Sequence, residues 1–118
     1  MAAAVEHLFA HVGAVDADTA IAWYARLLGR EPDLVPTDGE AVWRFTETAW
    51  IAVGGEARPT GGARVTMLVD DLDALIAEIA GRGIDPGEVE TAPGLYRRVA
   101  VGDPGGNTIV FAQPFGDS

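Results

Sequence analysis

The sequence contains no cysteine and no lysine, and its apolar runs are short. Without cysteine, disulfide bonds, thiolate metal sites and cysteine nucleophiles are all excluded. No run approaches the roughly 18 apolar residues that a membrane-spanning helix needs. The stretch Met1–Val5 also lacks the basic start and long apolar segment of a signal peptide. We therefore expect a cytoplasmic protein that does not enter a membrane.

Positive charge is scarce as well. Eight arginines stand against 18 aspartates and glutamates, which gives a formal net charge of −10 at pH 7. A surface of this sign repels nucleic acids and anionic membranes, so neither is expected as a partner. It attracts cationic small molecules. The length of 118 residues indicates a single domain that spans the whole chain.

The predicted elements follow the same order in both halves of the chain. Alternating apolar residues predict a strand over Val5–Val12, and Asp16 then caps a helix. In the second half a strand over Ala63–Val69 precedes a helix capped by Asp70 or Asp71. Three further strands follow each helix, at about Asp33–Pro36, Ala41–Thr46 and Trp50–Gly54, and then at about Glu88–Thr91, Leu95–Val101 and Asn107–Gln113.

A glycine-rich stretch separates the two halves. Residues 54–62 read GGEARPTGG, which predicts a linker between module one, about residues 1–55, and module two, about residues 63–115. Neither half can bury one face of a four-stranded sheet by itself. The repeat therefore predicts an α+β fold in which two βαβββ modules form one curved, eight-stranded mixed sheet around a cleft, with the helices outside.

Three stretches carry a family resemblance: Val15–Pro32, Val69–Ile84 and the DPGGN sequence of Asp103–Asn107. In order and spacing they resemble the vicinal oxygen chelate superfamily, and most closely its short glyoxalase/bleomycin resistance type. The resemblance implies a half-open barrel and a homodimer. It leaves the activity open, because members include lyases, dioxygenases, epimerases, thiol transferases and drug-binding proteins.

The same resemblance implies where a catalytic divalent metal would be held. The corresponding positions here are Phe9 and Arg64, which are related by a shift of 55 residues, and Val110 on the last strand. None of these side chains is a metal ligand. His7 and His11 are four residues apart on a strand, about 13 Å, and so cannot share one ion; one of them with Glu47 or Glu6 is the remaining alternative. We therefore predict a protein without a metal or other cofactor.

Strand alternation predicts which residues face the cleft. The cleft-facing set is His7, Phe9, His11 and Gly13 on the first strand, Arg64, Thr66 and Leu68 on the fifth, and Thr108, Val110 and Ala112 on the last. The alternate residues are predicted to pack under the helices: Leu8, Ala10, Val12, Val65, Met67, Val69, Ile109 and Phe111.

Aromatic residues on the strands suggest what the cleft binds. A cleft with aromatic walls and a few polar groups suits an aromatic or amphipathic molecule. Arg64 would bind a carboxylate or phosphate, or else form an ion pair with Glu47, Glu6 or another of the many acids. His11 is a candidate general base, a hydrogen-bond partner for a ligand, or a structural residue. The predicted ligand-binding residues are Phe9, His11, Trp43, Phe45, Trp50, Arg64, Thr66 and Val110, with His11 and Arg64 as candidate catalytic residues.

Three functions remain open from the sequence. The first is a metal-free protein that binds or sequesters a small molecule. The second is an enzyme, either a glyoxalase-like lyase or isomerase that uses His11 and Arg64, or a dioxygenase-type metalloenzyme with other ligands. The third is an interaction module with no ligand. Asp103–Asn107 is predicted to be a turn between two strands that supports the fold and takes no part in chemistry.

Overall fold

The computed structural model describes residues 8–54 and 62–115 and has two βαβββ modules. Residues 55–61, most of the predicted linker, lie outside the described residues. The elements of the first module are β1 (Leu8–Val12), α1 (Ala17–Leu28), β2 (Leu34–Thr37), β3 (Glu40–Arg44) and β4 (Ala49–Gly54). Those of the second are β5 (Arg64–Leu68), α2 (Leu72–Gly81), β6 (Glu90–Ala92), β7 (Tyr96–Gly102) and β8 (Thr108–Pro114).

Each module contributes one four-stranded mixed sheet. The strand orders are β1-β4-β3-β2 and β5-β8-β7-β6, with one parallel pair in each sheet, β1 with β4 and β5 with β8. The predicted α+β architecture of two repeated modules is therefore confirmed. Among the described residues, the eight strands form two hydrogen-bonded sheets that do not close into a barrel. No helix in those ranges is both long enough and apolar enough to cross a membrane.

Both helices begin at the aspartates that the sequence indicates. The Asp16 carboxylate accepts a hydrogen bond from the backbone N–H of Thr19, and α1 ends at Gly29 in the left-handed region with φ 77°. Of the two candidates for the second cap, it is Asp71 that accepts the N–H of Ala74. The buried faces of the helices carry Ala20, Tyr24 and Leu27 on α1 and Leu72 and Ile79 on α2.

The predicted core residues pack under the helices with one exception. Val12, Ile109 and Phe111 are buried, and Ala10, Val65, Met67 and Val69 are partly buried against them. The prediction was wrong for Leu8, which is 68% exposed. Leu8 is the first residue of an edge strand, and its side chain lines an open groove beside Phe45.

Trp43 belongs to the core and not to the cleft, which corrects its place among the predicted ligand-binding residues. Its side chain is fully buried on the helix side of the first sheet. The indole N–H donates to the carbonyl of Arg30 at 3.0 Å, and the ring lies 6.3 Å from that of Tyr24. The register of β3 puts Trp43 level with the buried Ile51, so this face of the strand is the one that α1 covers.

The turn between β7 and β8 is organised by two polar side chains. The carboxylate of Asp103 accepts the backbone N–H groups of Gly105 and Asn107, both at 2.8 Å. Asn107 is the only buried polar residue in the described ranges, and all its polar atoms are paired. Its amide NH₂ donates to Asp103 and to the carbonyl of Gly13, and its amide oxygen accepts the N–H of Ala63. The prediction of a tight turn here is confirmed.

Between residues that the structure describes, polar contacts join the modules at two places. At the turn, the Tyr24 hydroxyl donates to Asp103 at 2.8 Å, and the Asn107 amide reaches Gly13. At the ends of the helices, the guanidinium of Arg82 donates to the carbonyl of Leu27 at 3.1 Å. A Cβ atom at Gly29 would lie 2.5 Å from that guanidinium, so a glycine lets the two helix ends approach this closely. The cleft-facing strands are positioned by these contacts.

Replacing Asn107 with alanine is expected to lower the free energy of unfolding by about 2–3 kcal/mol, because it leaves buried groups of both modules without partners. Urea denaturation followed by circular dichroism measures the change. Glu88→Ala is the control, since Glu88 is exposed in a loop. An Asn107→Ala variant as stable as the control would show that the amide does not hold the modules together.

Tyr24 is expected to make stability depend on pH in the alkaline range. Burial, and then the hydrogen bond to the Asp103 carboxylate, raise the pKa of the Tyr24 hydroxyl well above its ordinary 10.0. The neutral phenol is thus favoured in the folded state. Its contribution is complete below about pH 10 and declines as the pH rises above that value, by up to about 1.4 kcal/mol per pH unit.

Denaturation of the wild type and of Tyr24→Phe between pH 8 and pH 11.5 tests this expectation. Phenylalanine keeps the ring and has no ionisable group, so the variant should lose less stability per pH unit above pH 10. At pH 8 it should be less stable by about 1 kcal/mol because Asp103 loses one donor. Parallel alkaline slopes for the two proteins would refute this role of Tyr24.

Candidate ligand-binding site

A row of three side chains crosses the first sheet on the face turned away from α1. In the strand register, Phe9 on β1 lies beside Trp50 on β4, and Trp50 lies beside Arg44 on β3. The buried residues Ile51 and Val53 alternate with Trp50 and point to the helix side. Phe9, Trp50 and Arg44 therefore share the open face, and we call them the aromatic row.

The members of the aromatic row are in contact with one another. The rings of Phe9 and Trp50 meet edge to face, with centroids 6.1 Å apart and planes at 84°. The guanidinium carbon of Arg44 lies 4.8 Å from the Trp50 ring centroid, within cation–π distance. The Trp50 indole N–H donates to the carbonyl of Glu47, which fixes the ring. Phe9 remains 50% exposed, so the row presents aromatic surface to solvent.

His11 lies next to this row, and its ring is engaged by the protein. Nε2 is 2.7 Å from the carbonyl oxygen of Gly54, so it carries the proton and donates. Nδ1 lies 3.9 Å from the carboxylate of Glu40. Ala52 and Val42, at the same level of the sheet, are buried and form the floor. His11 thus has the surroundings of a structural histidine, one of the roles expected for it.

The second sheet presents its own open face with a cavity of about 230 Å³. Thr66 and Val110, both predicted ligand-binding residues, line this cavity, and Val110 is nearly fully buried in its floor. Arg98 reaches across the face, where it forms an ion pair with Glu90 at 2.9 Å and lies 5.3 Å from the Tyr96 ring centroid. The remaining lining residues are Leu68, Leu95, Ala112 and Pro114.

Arg64 begins β5 and lies on the same open face as Thr66. It is exposed, and no carboxylate in residues 8–54 or 62–115 lies within 4.0 Å of its guanidinium. An ion pair with Glu47 is therefore not formed. Glu6, the other acid considered, and His7 lie outside the described residues.

Phe45 lies apart from the aromatic row. It follows β3 and lines a groove of about 290 Å³ at the seam between the two sheets, together with Leu8 of β1 and Met67 of β5. Trp50 and Thr66 reach the edge of this groove, so it adjoins both open faces. The sequence-predicted residues are thus divided among the open faces of the two sheets, the seam groove and the core that contains Trp43.

Sequence reasoning did not select Arg44, Tyr96 and Arg98 for the site. Arg44 follows Trp43 directly on its strand, so the two side chains face opposite sides of the sheet. The sequence does not show which of these sides the helix covers. For the other two, the alternation Tyr96-Arg97-Arg98 showed that Arg97 faces the opposite side. The structure places Arg97 on the helix side, paired with Asp73 at 2.8 Å. That contact lowers the pKa of the Asp73 carboxyl.

The residues at the implied metal positions do not fit a metal ion. Phe9, Arg64 and Val110 lie on the open faces, where the resemblance puts the ligands, but they offer an aromatic ring, a permanent cation and an aliphatic chain. Across the described ranges, no three His, Asp or Glu residues are grouped so that they could hold an ion. No chemical step is therefore assigned to a metal here.

A larger, shallower groove of about 770 Å³ lies on the outer side of α1, away from the open faces. Three arginines line it: Arg26, Arg30 and Arg82. Arg30 is paired with Asp33, and Arg82 with Glu78 and with the end of α1. No aromatic side chain lines this groove. Although it is larger than the cavity on the second sheet, we therefore do not take it as the candidate site.

Comparison with known proteins gives similar solved structures. No family model and no curated protein matches the chain. A glyoxalase / bleomycin resistance protein from Catenulispora acidiphila DSM 44928 is 36% identical, with 91% of this chain and 96% of that chain covered and a TM-score of 0.84.

Two more distant structures share the fold. The antibiotic binding protein TnmS3 from Streptomyces sp. CB03234 is 21% identical, with 97% and 99% of the two chains covered and a TM-score of 0.76. A lactoylglutathione lyase from Agrobacterium tumefaciens is 17% identical, with 90% and 91% covered and a TM-score of 0.72. At these identities the likeness extends to the fold alone, and the two proteins differ in what they do.

Proposed function

The chain belongs to the glyoxalase/bleomycin resistance protein family of the vicinal oxygen chelate superfamily, and from that premise we propose that it binds a small molecule without transforming it. The ligand is aromatic or amphipathic and lies on the open faces of the two sheets. Sequestration of a drug or metabolite is the biological role that follows. The antibiotic-binding protein with the same fold is a precedent for such a use.

The aromatic row is the observation that carries this proposal. Phe9 packs edge to face on Trp50 and is 50% exposed, so apolar ring surface faces solvent, which costs free energy unless a ligand or partner covers it. The cavity beside Thr66 and Tyr96 adds a second apolar surface with an ion pair at its rim. Apolar walls with few polar groups are typical of ligand sites.

The chemistry of the same face supports binding over catalysis. The three positions that would hold a metal have side chains without a ligating atom or with a permanent positive charge. The ring of His11 is held by the protein, with Nε2 donating to the Gly54 carbonyl at 2.7 Å and Nδ1 3.9 Å from the Glu40 carboxylate, as is typical of a structural histidine.

Thermal-shift screening of aromatic antibiotics and metabolites tests the proposal. A ligand is expected to raise the melting temperature and to be recovered chemically unchanged. Trp50→Ala should weaken its binding at least tenfold, because the stacking surface is lost. Trp23→Ala is the control, since Trp23 lies on α1 away from the open face. Turnover of the ligand, or stoichiometric metal in protein prepared without a histidine tag, would contradict the proposal.

We also propose that the protein is a homodimer in which a second copy covers the seam groove. Leu8 is 68% exposed, Phe45 40% and Leu68 71%, and all three line this groove. The neighbouring strands β1 and β5 are edges of their sheets. Exposed apolar patches and open sheet edges are commonly covered in an assembly.

Light scattering after gel filtration should give twice the chain mass of 12.3 kDa. Leu8→Glu places a charge in the groove and is expected to shift the protein toward the monomer. Val15→Glu is the matched control, because Val15 is also an exposed aliphatic residue, at 88%, and lies outside the groove. A wild-type monomer, or equal effects of the two substitutions, would refute this mode of assembly.

A further inference from the structure

The described strand residues on the open faces are not acidic, unlike the protein as a whole. The strand residues that point to these faces include three of the eight arginines, Arg44, Arg64 and Arg98. Their acidic counterparts on the described strands are two glutamates, Glu40 and Glu90. In a chain with a net charge of −10, the strand charges thus balance on the first sheet, with Arg44 and Glu40, and are positive by one on the second, with Arg64 and Arg98 against Glu90.

Two of these arginines form no ion pair with a described acid. Arg98 is paired with Glu90. For Arg44 and Arg64, no carboxylate in the part of the chain that the structure describes lies within 4.0 Å. Arg26, on the outer face of α1, is the other arginine of those ranges without an ion pair.

Asp33 interacts with Arg44 through the backbone. Its carboxylate accepts the backbone N–H of Arg44 at 2.7 Å and the guanidinium of Arg30 at 2.9 Å. The bond to the Arg44 N–H, then the hydrogen bond and charge of Arg30 and the charge of Arg44, lower the pKa of the Asp33 carboxyl. Asp33 forms its ion pair with Arg30, and the Arg44 guanidinium lies over Trp50.

The position of Arg44 suits recognition of an anion next to an aromatic ring. The guanidinium carbon of Arg44 lies over the Trp50 ring, 4.8 Å from its centroid, and its N–H groups are hydrogen-bond donors. Those groups match the two oxygens of a carboxylate in a bidentate arrangement. Neighbouring strands are about 4.8 Å apart, so the row from Phe9 to Arg44 is about 10 Å long, the length of a bicyclic aromatic acid.

We infer that the site takes a planar aromatic ligand that carries a carboxylate or a similar anionic group. Its ring packs on Phe9 and Trp50, and its anion binds the guanidinium of Arg44. Arg64, on the open face of the second sheet, provides a further positive charge. This inference rests on the proposed binding function and specifies the class of ligand.

The net charge by itself favours the opposite class, a cationic ligand. Charges on the outer surface act on a ligand at the open face mainly through solvent, where screening is strong beyond about 8–10 Å. A guanidinium in direct contact with the ligand is not screened in this way, and a charge-assisted hydrogen bond is among the stronger polar contacts. The local arginines therefore decide the sign of the preferred ligand.

Three naphthalene compounds with an anionic, a neutral and a cationic substituent test the inference: 1-naphthoate, 1-naphthalenemethanol and 1-naphthylmethylammonium. Ligand-detected NMR at about 0.15 M salt, where the outer charges are screened, gives the Kd of each compound for the full-length protein. The naphthoate is expected to bind about tenfold more tightly than the alcohol, and the ammonium compound most weakly. The preference for the anion should decrease as the salt concentration rises.

Arginine variants locate the effect. Arg44→Gln is expected to weaken naphthoate binding about tenfold and to leave the Kd of the alcohol within twofold. Arg44→Lys keeps the charge but loses the planar fork, so its effect should be smaller. Arg26→Gln is the matched control, because it removes the same charge from the outer face of α1 and should leave both Kd values unchanged. Circular dichroism verifies the fold of each variant.

The outcomes separate this inference from the function on which it rests. Equal binding of the acid and the alcohol, tighter binding of the ammonium compound, or equal effects of Arg26→Gln and Arg44→Gln would overturn the anionic class and leave the binding function intact. If none of the three compounds binds and the broader aromatic panel also fails, both the class and the proposed function are overturned.

Discussion

The buried amide of Asn107 holds together three separate parts of the chain. It donates to Asp103 within its own turn and to Gly13 in the first module, and it accepts from Ala63 just before β5. An amide removed from water costs free energy unless each of its groups is paired, so this arrangement forms only when the three segments meet. The relative position of the two sheets, and with it the site, depends on that condition.

Once the modules are joined, strand alternation decides which side chains the open faces carry. On β4, Ile51 and Val53 enter the core while Trp50 does not, and the register then brings Phe9 and Arg44 to either side of Trp50. The site is therefore a product of pairing between strands. No two members of the aromatic row are neighbours in sequence, which is why the row is not visible as a motif.

A large part of the architecture could be predicted from the sequence, because the signals for it are local. Asp16 and Asp71 cap helices by bonding to residues three positions later, and the proline and glycines after Asp103 define a tight turn. These effects act within a few residues and need no knowledge of the rest of the chain. The repeated order of elements then indicated the fold class.

The sequence by itself determined the two modules, the position of the turn and the chemical character of Phe9, Arg64 and Val110. Only the tertiary structure decided that Trp43 packs under α1, that Leu8 and Phe45 line an open groove, and that Arg44 lies over Trp50. Alternation says that neighbouring residues face opposite sides but not which side the helix covers. That choice is made by long-range packing, in which every strand must fit its helix and its neighbours at once.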